Sequence, residues 1–243
     1  MKKIAIIQAR MSSSRLPGKV LLPLKDDNTV LDFTFNRIKK SKLVDDVIVA
    51  TSTDSSDDEI QIHCRDKNYK VERGSLEDVL SRYYDTAKKY KADVIIRVTA
   101  DCPLVDPYLN DDLIKFFLDN QLDYAGVKQG GLALGIATEI FTFDSLEKAY
   151  LYARHSHREH VTSYIYYNHA DFNCLRMMPS EVYTKTKNYR LTLDTKEDYI
   201  VIKSIFENIK SDYIDIGEII AYFKNNPYIA LINSKVVQKG VSE

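Results

Sequence analysis

Short apolar runs alternate with longer amphipathic stretches along the chain up to about residue 100. Three of these runs are rich in β-branched residues and are nearly unbroken by polar side chains. This pattern is typical of strands buried on both faces of a mostly parallel sheet. Such strands are predicted at Ile4–Ile7, Val47–Ala50 and Val94–Val98. Helix patterns fill the segments between them, so the order of elements predicts a doubly wound α/β layer.

Capping signals mark the beginnings of several helices. Thr29 is placed to cap a helix over 30–40, and Ser75, with Asp78 three residues on, to cap one over 76–90. Acidic residues open a helix over 57–68, where they suit the positive end of its dipole. Further helices are predicted at 107–121, 144–153, 157–168, 196–208 and 216–225, and further strands at 70–72, 123–127, 138–143, 172–178 and 190–193.

Length and composition favour one α/β domain over the 243 residues, without repeats or a long linker. Residues 127–180 are less regular and are predicted to form an inserted region for acceptor binding or dimerisation. The net charge of -1 gives no overall field that would recruit nucleic acid or an anionic membrane. The three widely spaced cysteines predict reduced thiols in a cytoplasmic protein, and the apolar run at the start is too short for a signal peptide or a membrane span.

The loop after the first predicted strand concentrates cations and hydroxyls among small and bend-forming residues. It reads Gln8-Ala9-Arg10-Met11-Ser12-Ser13-Ser14-Arg15-Leu16-Pro17-Gly18-Lys19. Ligands of open α/β sheets bind outside the carboxyl ends of the strands, where this loop must lie. Arg10, Arg15 and Lys19 are placed to surround a triphosphate, whose other oxygens would meet backbone N–H groups and Ser hydroxyls. The alternative is a solvated basic turn, which the position and the charge density disfavour.

Two aspartates end short apolar runs later in the chain. Asp101 follows Arg97–Ala100, and Asp194 follows Arg190–Leu193. Two carboxylates on short turns suit Mg²⁺, which completes its octahedron with phosphate and water. Each aspartate alone has another explanation, since Asp101 could form a turn beside Pro103 and Asp194 could cap the following helix. The metal site is therefore predicted from their occurrence together with the cationic loop.

These motifs, in this order, resemble those of a known enzyme family. The loop, the strand-end Asp101 and the segment Asp194-Thr195-Lys196-Glu197-Asp198 are similar to the motifs of the cytidylyltransferases that include CMP-sialic acid and CMP-Kdo synthetases. The similarity is strongest to the branch named for the spore-coat polysaccharide protein SpsF. It implies a three-layer nucleotidyltransferase fold, Rossmann-like and glycosyltransferase-A-like, with a mixed, mostly parallel sheet. It also implies Mg²⁺ as the cofactor, bound by Asp101 and Asp194.

The implied reaction transfers CMP from CTP to a sugar-acid acceptor of acylneuraminate-like type and releases pyrophosphate, for surface polysaccharide or glycan synthesis. The implied catalytic residues are Arg10, Lys19, Asp101 and Asp194. The implied nucleotide contacts are Gln8, Ala9, Arg10, Ser13, Arg15, Lys19, Arg73, Arg82 and Ala100. Without the resemblance, Arg82 would be explained as a surface ion pair with Asp78, one helical turn before it.

The resemblance extends to two motifs in the second half, Gly135…Glu139 and Arg158-Glu159-His160-Val161-Thr162. The implied acceptor contacts are Glu139, Arg158, Glu159 and His160. His155, His157 and His160 do not share one helix face, so they predict a polar helix rather than a metal cluster. Cys102 is predicted to be a small buried residue, and Glu197 and Asp198 to be charges at a helix N-terminus.

Two other functions fit the same motifs. One is a sugar-phosphate or polyol-phosphate nucleotidyltransferase that uses CTP or another nucleoside triphosphate. The other is a catalytically inactive nucleotide-binding protein, which the presence of both Asp101 and Asp194 disfavours. A homodimer is expected, and no nucleic-acid or membrane partner. The 17 tyrosines suit a dimer interface as well as a platform for a sugar.

Overall fold

The computed structural model describes residues 1–128, 130–154 and 156–238, without the side chain of Ser156. The strands in this part of the chain are β1 (Lys3–Gln8), β2 (Pro23–Lys25), β3 (Asn28–Thr29), β4 (Asp46–Ser52), β5 (Lys70–Gly74), β6 (Val94–Thr99), β7 (Tyr124–Val127), β8 (Glu139–Thr142) and β9 (Cys174–Met177). The helices are α1 (Val30–Ile38), α2 (Asp58–Asp66), α3 (Val79–Lys89), α4 (Pro107–Asp119), α5 (Phe143–Tyr152), α6 (Ser156–Glu159), α7 (Ser163–Tyr167), α8 (Glu181–Thr184), α9 (Lys196–Asn208), α10 (Ile216–Asn225) and α11 (Pro227–Ile232).

Seven of the described strands form one mixed sheet in the order β5, β4, β1, β6, β8, β7 and β9. The first four are mutually parallel, β8 is antiparallel to both of its neighbours, and β9 is parallel to β7. The register pairs Gln8 of β1 with Thr99 of β6. The segments that follow these two strands therefore leave the sheet side by side, which brings the cationic loop next to Asp101.

Helices cover both faces of this sheet, and the central strands are buried on both sides. Ile4 and Ile6 of β1 pack into an apolar cluster with α3 and α5, whereas Ala5 and Ile7 pack on the opposite side with α1, α4 and α9. Burial on both faces is the reason that these strands carry apolar runs without alternation. The predicted three-layer α/β fold with a mixed, mostly parallel sheet is confirmed.

Local signals located some helix ends better than others. Thr29 caps α1 in a reciprocal capping box with Asp32, as predicted. Helix α3 begins three residues later than the predicted start, because Asp78 rather than Ser75 accepts the hydrogen bond from the N–H of Ser81. Ser75 instead accepts from the N–H of Asp78 and shapes the preceding loop.

The predicted strand over 190–193 is wrong. The N–H groups of Leu191 and Leu193 donate to the carbonyl oxygens of Leu134 and Asp101, each at 2.9 Å. Both acceptors lie in loops, so the segment is buried without joining the sheet beyond one bridge between Leu134 and Arg190. The apolar pattern correctly indicated burial, but it could not indicate the partner of the backbone.

The predicted helix over 157–168 is interrupted. It consists of α6 and α7, separated by a turn in which Val161 and Thr162 are buried. His155 and Gln129 lie outside the described residues. Strands β7, β8 and β9 all belong to the main sheet, and the role predicted for 127–180 stays a prediction. In the described ranges, every helix is too short or too polar to cross a membrane.

Candidate active site

A pocket of about 320 Å³ opens at the carboxyl ends of β1 and β6. It gathers most of the residues that the sequence motifs singled out. Its lining consists of Gln8, Ala9, Arg10, Ser13, Ser14, Arg15, Lys19, Val20, Val79, Arg82, Arg97, Thr99, Ala100, Asp101, Glu159, His160 and Asp194. The three motifs therefore meet at one place, although they are far apart in the chain.

The loop after β1 is folded back on itself by backbone hydrogen bonds. The carbonyl oxygen of Met11 accepts from the N–H groups of Ser13 and Gly18, both at 2.9 Å, and Asp57 anchors the N–H of Met11 at 2.7 Å. Gly18 has φ +70°, a left-handed conformation that other residues adopt only with strain. This turn directs Lys19, which follows immediately, into the pocket instead of toward solvent.

The ammonium of Lys19 lies between the two predicted metal ligands. Its Nζ is 2.5 Å from Oδ2 of Asp101 and 2.8 Å from Oδ1 of Asp194. Burial lowers the pKa of Lys19, but the charges and hydrogen bonds of the two carboxylates outweigh burial, and the pKa is raised. Lys19 is therefore a protonated cation that bridges two anions in a mostly buried position.

Asp194 is oriented by cations on its other side. Its Oδ2 accepts from Arg190 at 2.7 Å and lies 3.0 Å from Arg15. Burial raises the pKa of Asp194, but the hydrogen bond and charge of Lys19, together with the charges of Arg15 and Arg190, bring it below the ordinary value. The cap of α9 is Thr195, so Asp194 is not used as a helix cap.

The side chains of Asp198 and Asn233 hold Arg190 in the position from which it contacts Asp194. Asp198 is fully buried and accepts from Arg190 at 2.9 Å and from the N–H of Asp194 at 2.9 Å. Asn233 donates to Asp198 and to the carbonyl oxygen of Arg190, at 2.9 and 3.0 Å. Asp198 thus acts at the N-terminus of α9, as predicted, and it also fixes the guanidinium that orients Asp194.

Asp101 leaves the sheet on a short turn after β6. The N–H of Ala100 donates to the carbonyl oxygen of Gln8 at 3.0 Å, which holds the turn against β1. The neighbouring Cys102 is buried, and burial raises the pKa of its thiol to about 12. A thiol that stays protonated is a poor nucleophile, so Cys102 is a packing residue, as predicted.

Arg82 is the most unusual cation of the pocket. It is only 3% exposed, and its Nε and Nη1 have no hydrogen-bond partner among the described residues. Burial lowers its pKa, which reflects the cost of holding a charge away from water. Asp78, the expected ion-pair partner, binds Arg158 at 2.7 Å instead. Arg82 therefore offers free donors to an anionic or carbonyl oxygen of a ligand.

Three predicted site residues lie outside the lining of the pocket. Arg73 turns toward α2, where it contacts Asp58 at 2.7 Å and two backbone carbonyl oxygens. Arg158 is held by Asp78 and by the carbonyl oxygens at the end of α5. Glu139 lies behind the pocket wall, paired with Arg97 at 2.5 Å and bonded to Tyr124. Burial raises the pKa of Glu139, and Arg97 lowers it more.

The sequence motifs did not identify Arg97 and Arg190 as site residues. Arg97 lines the pocket and links Gln8 of β1, at 3.2 Å, to Glu139. A charged residue inside an otherwise apolar strand is a signal that could have identified Arg97, because buried charges require partners. Arg190 begins an apolar run in the same way and is also buried.

The pair formed by Asp101 and Asp194 fits Mg²⁺. The described residues contain no group of three or more His, Cys, Asp or Glu side chains placed to hold a metal. Mg²⁺ does not need one, since one or two carboxylates suffice when phosphate and water supply the other ligands. The two carboxylates already converge on one cation, the ammonium of Lys19. Hard oxygen donors and this convergence both suit the ion.

A cation-lined pocket with two carboxylates, at the carboxyl ends of the parallel strands of a three-layer α/β protein, is the arrangement of a nucleotidyltransferase. Comparison with protein-family models gives the narrower assignment. Residues 4–229 match the family described as Cytidylyltransferase. The chain belongs to the cytidylyltransferase family.

Individual relatives agree with this assignment. The chain is 43% identical to the uncharacterized protein MJ1063 of Methanocaldococcus jannaschii over 100% of its length and 99% of that protein. It is 36% identical to the spore coat polysaccharide biosynthesis protein SpsF of Bacillus subtilis, over 91% of the chain and 94% of SpsF. It is also 32% identical to a 3-deoxy-manno-octulosonate cytidylyltransferase of Koribacter versatilis, over 52% of the chain and 47% of that enzyme.

Solved structures share the fold. A cytidylyltransferase from Leptospira borgpetersenii superposes with a TM-score of 0.88 at 37% identity, over 99% of the chain and 100% of that structure. A CMP:2-keto-3-deoxy-manno-octonic acid synthetase complexed with CTP superposes with a TM-score of 0.64 at 17% identity, over 85% of the chain and 99% of that structure. The second similarity concerns the fold alone.

Proposed function

We propose that this protein transfers CMP from CTP to a hydroxyl group of a sugar-acid acceptor of acylneuraminate-like type and releases pyrophosphate. The oxygen of the acceptor forms a bond to the α-phosphorus, the bond from that phosphorus to the bridging oxygen of pyrophosphate breaks, and the hydroxyl proton leaves to solvent. The observation that carries this proposal is the convergence of Lys19, Asp101 and Asp194 in one pocket. Such a site suits transfer of a nucleoside monophosphate from its triphosphate rather than binding alone.

The nucleotide is held by the loop after β1 and by its neighbours. Arg10, Arg15 and Lys19 bind the phosphate oxygens, and Ser13 and backbone N–H groups bind those that remain. Gln8, Ala9 and Ala100 line the pocket beside the nucleoside, and the unpaired N–H groups of Arg82 donate to an oxygen of the nucleotide. Arg73 packs against α2 and does not contact the nucleotide. It affects the nucleotide site only by holding the turn after β4, through the carbonyl oxygens of Ser52 and Asp54.

Asp101 and Asp194 would hold Mg²⁺ when the nucleotide is bound. The ion would supply neutralisation of the charge that gathers on the phosphoryl oxygens in the transition state. Lys19 and Arg10 then stabilise the departing pyrophosphate, and Arg190 keeps Asp194 ionised and fixed. Because these groups are fixed before the reaction, little reorganisation is needed as charge develops.

The acceptor binds on the side of the pocket formed by α3 and α6. Glu159 and His160 line this side, and Glu159 lies 3.8 Å from Arg10 across the opening. Arg158 and Glu139 support the same wall through Asp78 and Arg97. The resemblance to the spore coat polysaccharide biosynthesis protein SpsF supports a role in surface polysaccharide or glycan synthesis. A cytoplasmic location stays a prediction from the cysteine pattern.

Pyrophosphate release tests this function directly. The protein is incubated with Mg²⁺ and with each of CTP, UTP, GTP and ATP, against a panel of sugar acids, sugar phosphates and polyol phosphates. Release with CTP and a sugar acid is expected. Release only with another triphosphate or only with a phosphorylated acceptor would replace the proposal by the wider nucleotidyltransferase alternative. Nucleotide binding without any release would favour an inactive binding protein.

A homodimer is expected to form through region 127–180. Strand β9 lies at the edge of the sheet, and large apolar side chains are exposed near it, namely Leu134, Tyr167, Leu175 and Met178. Exposed apolar clusters of this kind often mark interfaces. Light scattering coupled to size-exclusion chromatography is expected to give twice the mass of the 28.0 kDa chain, and Leu175→Asp is expected to shift it toward the monomer. A monomeric wild type would reject the dimer.

A further inference from the structure

Lys19 has two roles in the pocket, one toward the carboxylate pair and one toward the nucleotide. Its ammonium lies 2.5 Å from Asp101 and 2.8 Å from Asp194, in the space between the two carboxylates that hold Mg²⁺ in the proposed function. In the proposed function it is also a ligand of the nucleotide phosphates. Two cations at the same point would repel each other strongly in this buried setting. Lys19 and a divalent ion therefore cannot use the carboxylate pair together.

The second oxygen of Asp194 does not offer a free position for the ion. Oδ2 of Asp194 is engaged by Arg190 at 2.7 Å and by Arg15 at 3.0 Å. Both oxygens of Asp194 thus face cationic donors, while Asp101 gives one oxygen to Lys19. A divalent ion that approaches the nucleotide-free protein meets three positive side chains around two carboxylates, and the pair is already neutralised.

We propose that Lys19 is an internal counter-ion that keeps divalent metal out of the Asp101–Asp194 pair until a polyphosphate draws its ammonium away. The proposal rests on the proposed function, since it takes this pair as the metal site. Lysine suits such an exchange because its ammonium is a compact charge at the end of a flexible stem, with three rotatable donors. The backbone of the loop, fixed by Met11 and Gly18, can stay in place while the side chain moves.

Coupling between metal and polyphosphate follows from this exchange. Phosphate oxygens supply a new partner for Lys19, and the carboxylates that it leaves become available to the ion. By linkage, each ligand then strengthens the binding of the other. The free protein, in contrast, binds divalent metal weakly, so that its carboxylates stay ready for a metal that arrives with the nucleotide.

Mn²⁺ alone is the probe for this proposal, with the free ion followed by electron paramagnetic resonance in the absence of nucleotide. Lys19→Met, which uncovers the carboxylate pair, is expected to bind Mn²⁺ at least about tenfold more tightly than wild type, or about 1.4 kcal/mol. Adding Asp101→Asn to Lys19→Met is expected to remove this gain. Lys196→Met is the matched control, because Lys196 is an exposed cation two residues from Asp194, and it is expected to behave as wild type.

Equal Mn²⁺ affinities of wild type and Lys19→Met would overturn the proposal. Thermal unfolding checks that each variant is folded, and Lys19→Gln replaces Lys19→Met if the latter is not. Tight binding of Mn²⁺ by the nucleotide-free wild type, in the micromolar range, would overturn the proposal without any variant. CTP binding and turnover are measured separately. If they depend on Asp101 while Lys19→Met gains no affinity for Mn²⁺, the counter-ion role is wrong and the proposed function stands.

Discussion

Asp78 caps α3 and pairs with Arg158 at 2.7 Å rather than with Arg82, one helical turn further along. The buried guanidinium of Arg82 is thus left without an ion-pair partner in the part of the chain that the structure describes. A protein that keeps such a group gives up stability for it, because an unpaired buried charge costs free energy. The cost is explained if a ligand supplies the missing partner.

Replacement of Arg82 should therefore separate stability from function. Arg82→Met keeps most of the side-chain volume and removes the unpaired donors, so the free energy of unfolding is expected to stay unchanged or to rise by up to about 1 kcal/mol. The kcat/KM for CTP is expected to fall by roughly 10- to 100-fold, as is typical for loss of a charged hydrogen bond. Urea unfolding and steady-state kinetics measure the two effects. Arg65→Met, which removes an exposed Arg of α2, should alter neither. A large loss of stability in Arg82→Met would mean that Arg82 has a structural role.

The carboxylate pair carries the sharpest prediction for activity. Asp101→Asn and Asp194→Asn are each expected to lower kcat by roughly 100-fold or more, because the neutral amide is a weak ligand for Mg²⁺ and several kcal/mol of charge stabilisation is lost with the ion. Pyrophosphate release is the readout, and circular dichroism checks the fold. Asp112→Asn changes an exposed carboxylate of α4 and serves as the control. Activity like that of wild type in either variant would remove that residue from the site.

Arg190 is predicted to be a positioning residue. It is buried and bonds Asp194 at 2.7 Å and Asp198 at 2.9 Å. Arg190→Met leaves the buried carboxylate of Asp198 without an ion-pair partner among the described residues, while Asp194 keeps Lys19 and Arg15. It is expected to lower the free energy of unfolding by about 3–5 kcal/mol. Arg190→Lys keeps the charge but not the fork geometry, and it is expected to recover much of the stability but less of kcat. Chemical unfolding and kinetics of both variants test this. Equal losses of kcat and stability in both variants, with no rescue by lysine, would contradict it.

The carboxylate of Asp32, far from the pocket, is expected to make the free energy of unfolding depend on pH in acid. Burial raises the pKa of Asp32, but hydrogen bonds from His63 and Thr29 lower it more, to about 2 from 3.8. Because the pKa of the folded state is the lower one, the contribution of Asp32 is complete above about pH 4 and is lost as the pH falls toward 2. It amounts to about 2 kcal/mol at neutral pH.

Comparison with Asp32→Asn isolates this contribution. At pH 7 the free energy of unfolding of the variant is expected to be about 2 kcal/mol lower than that of wild type. This difference should shrink between about pH 4 and pH 2. Urea unfolding at a series of pH values measures it. A difference that stays constant over this range would show that the pKa of Asp32 is not lowered in the folded protein.

Local patterns predicted the central part of the fold and much of the pocket lining. The runs in β1 and β6 identified buried strands, and the motifs around Lys19 and Asp101 follow the ends of these strands. Asp194 reaches the same pocket from a buried segment that is not a strand. The ion pair of Arg97 with Glu139 could not be predicted, because it depends on the antiparallel register of β6 with β8, 42 residues away. The direction of Arg73 depends in the same way on its packing against α2.

The bridge made by Lys19 spans 175 residues of the chain, from the first loop to Asp194. During synthesis, therefore, the cationic loop leaves the ribosome long before the carboxylate that completes the pocket. Asn233, which braces Arg190 and Asp198, emerges later still. The carboxylate pair and its bracing are therefore assembled only after the segment from Asp194 to Asn233 has been made, although the cationic loop is made first.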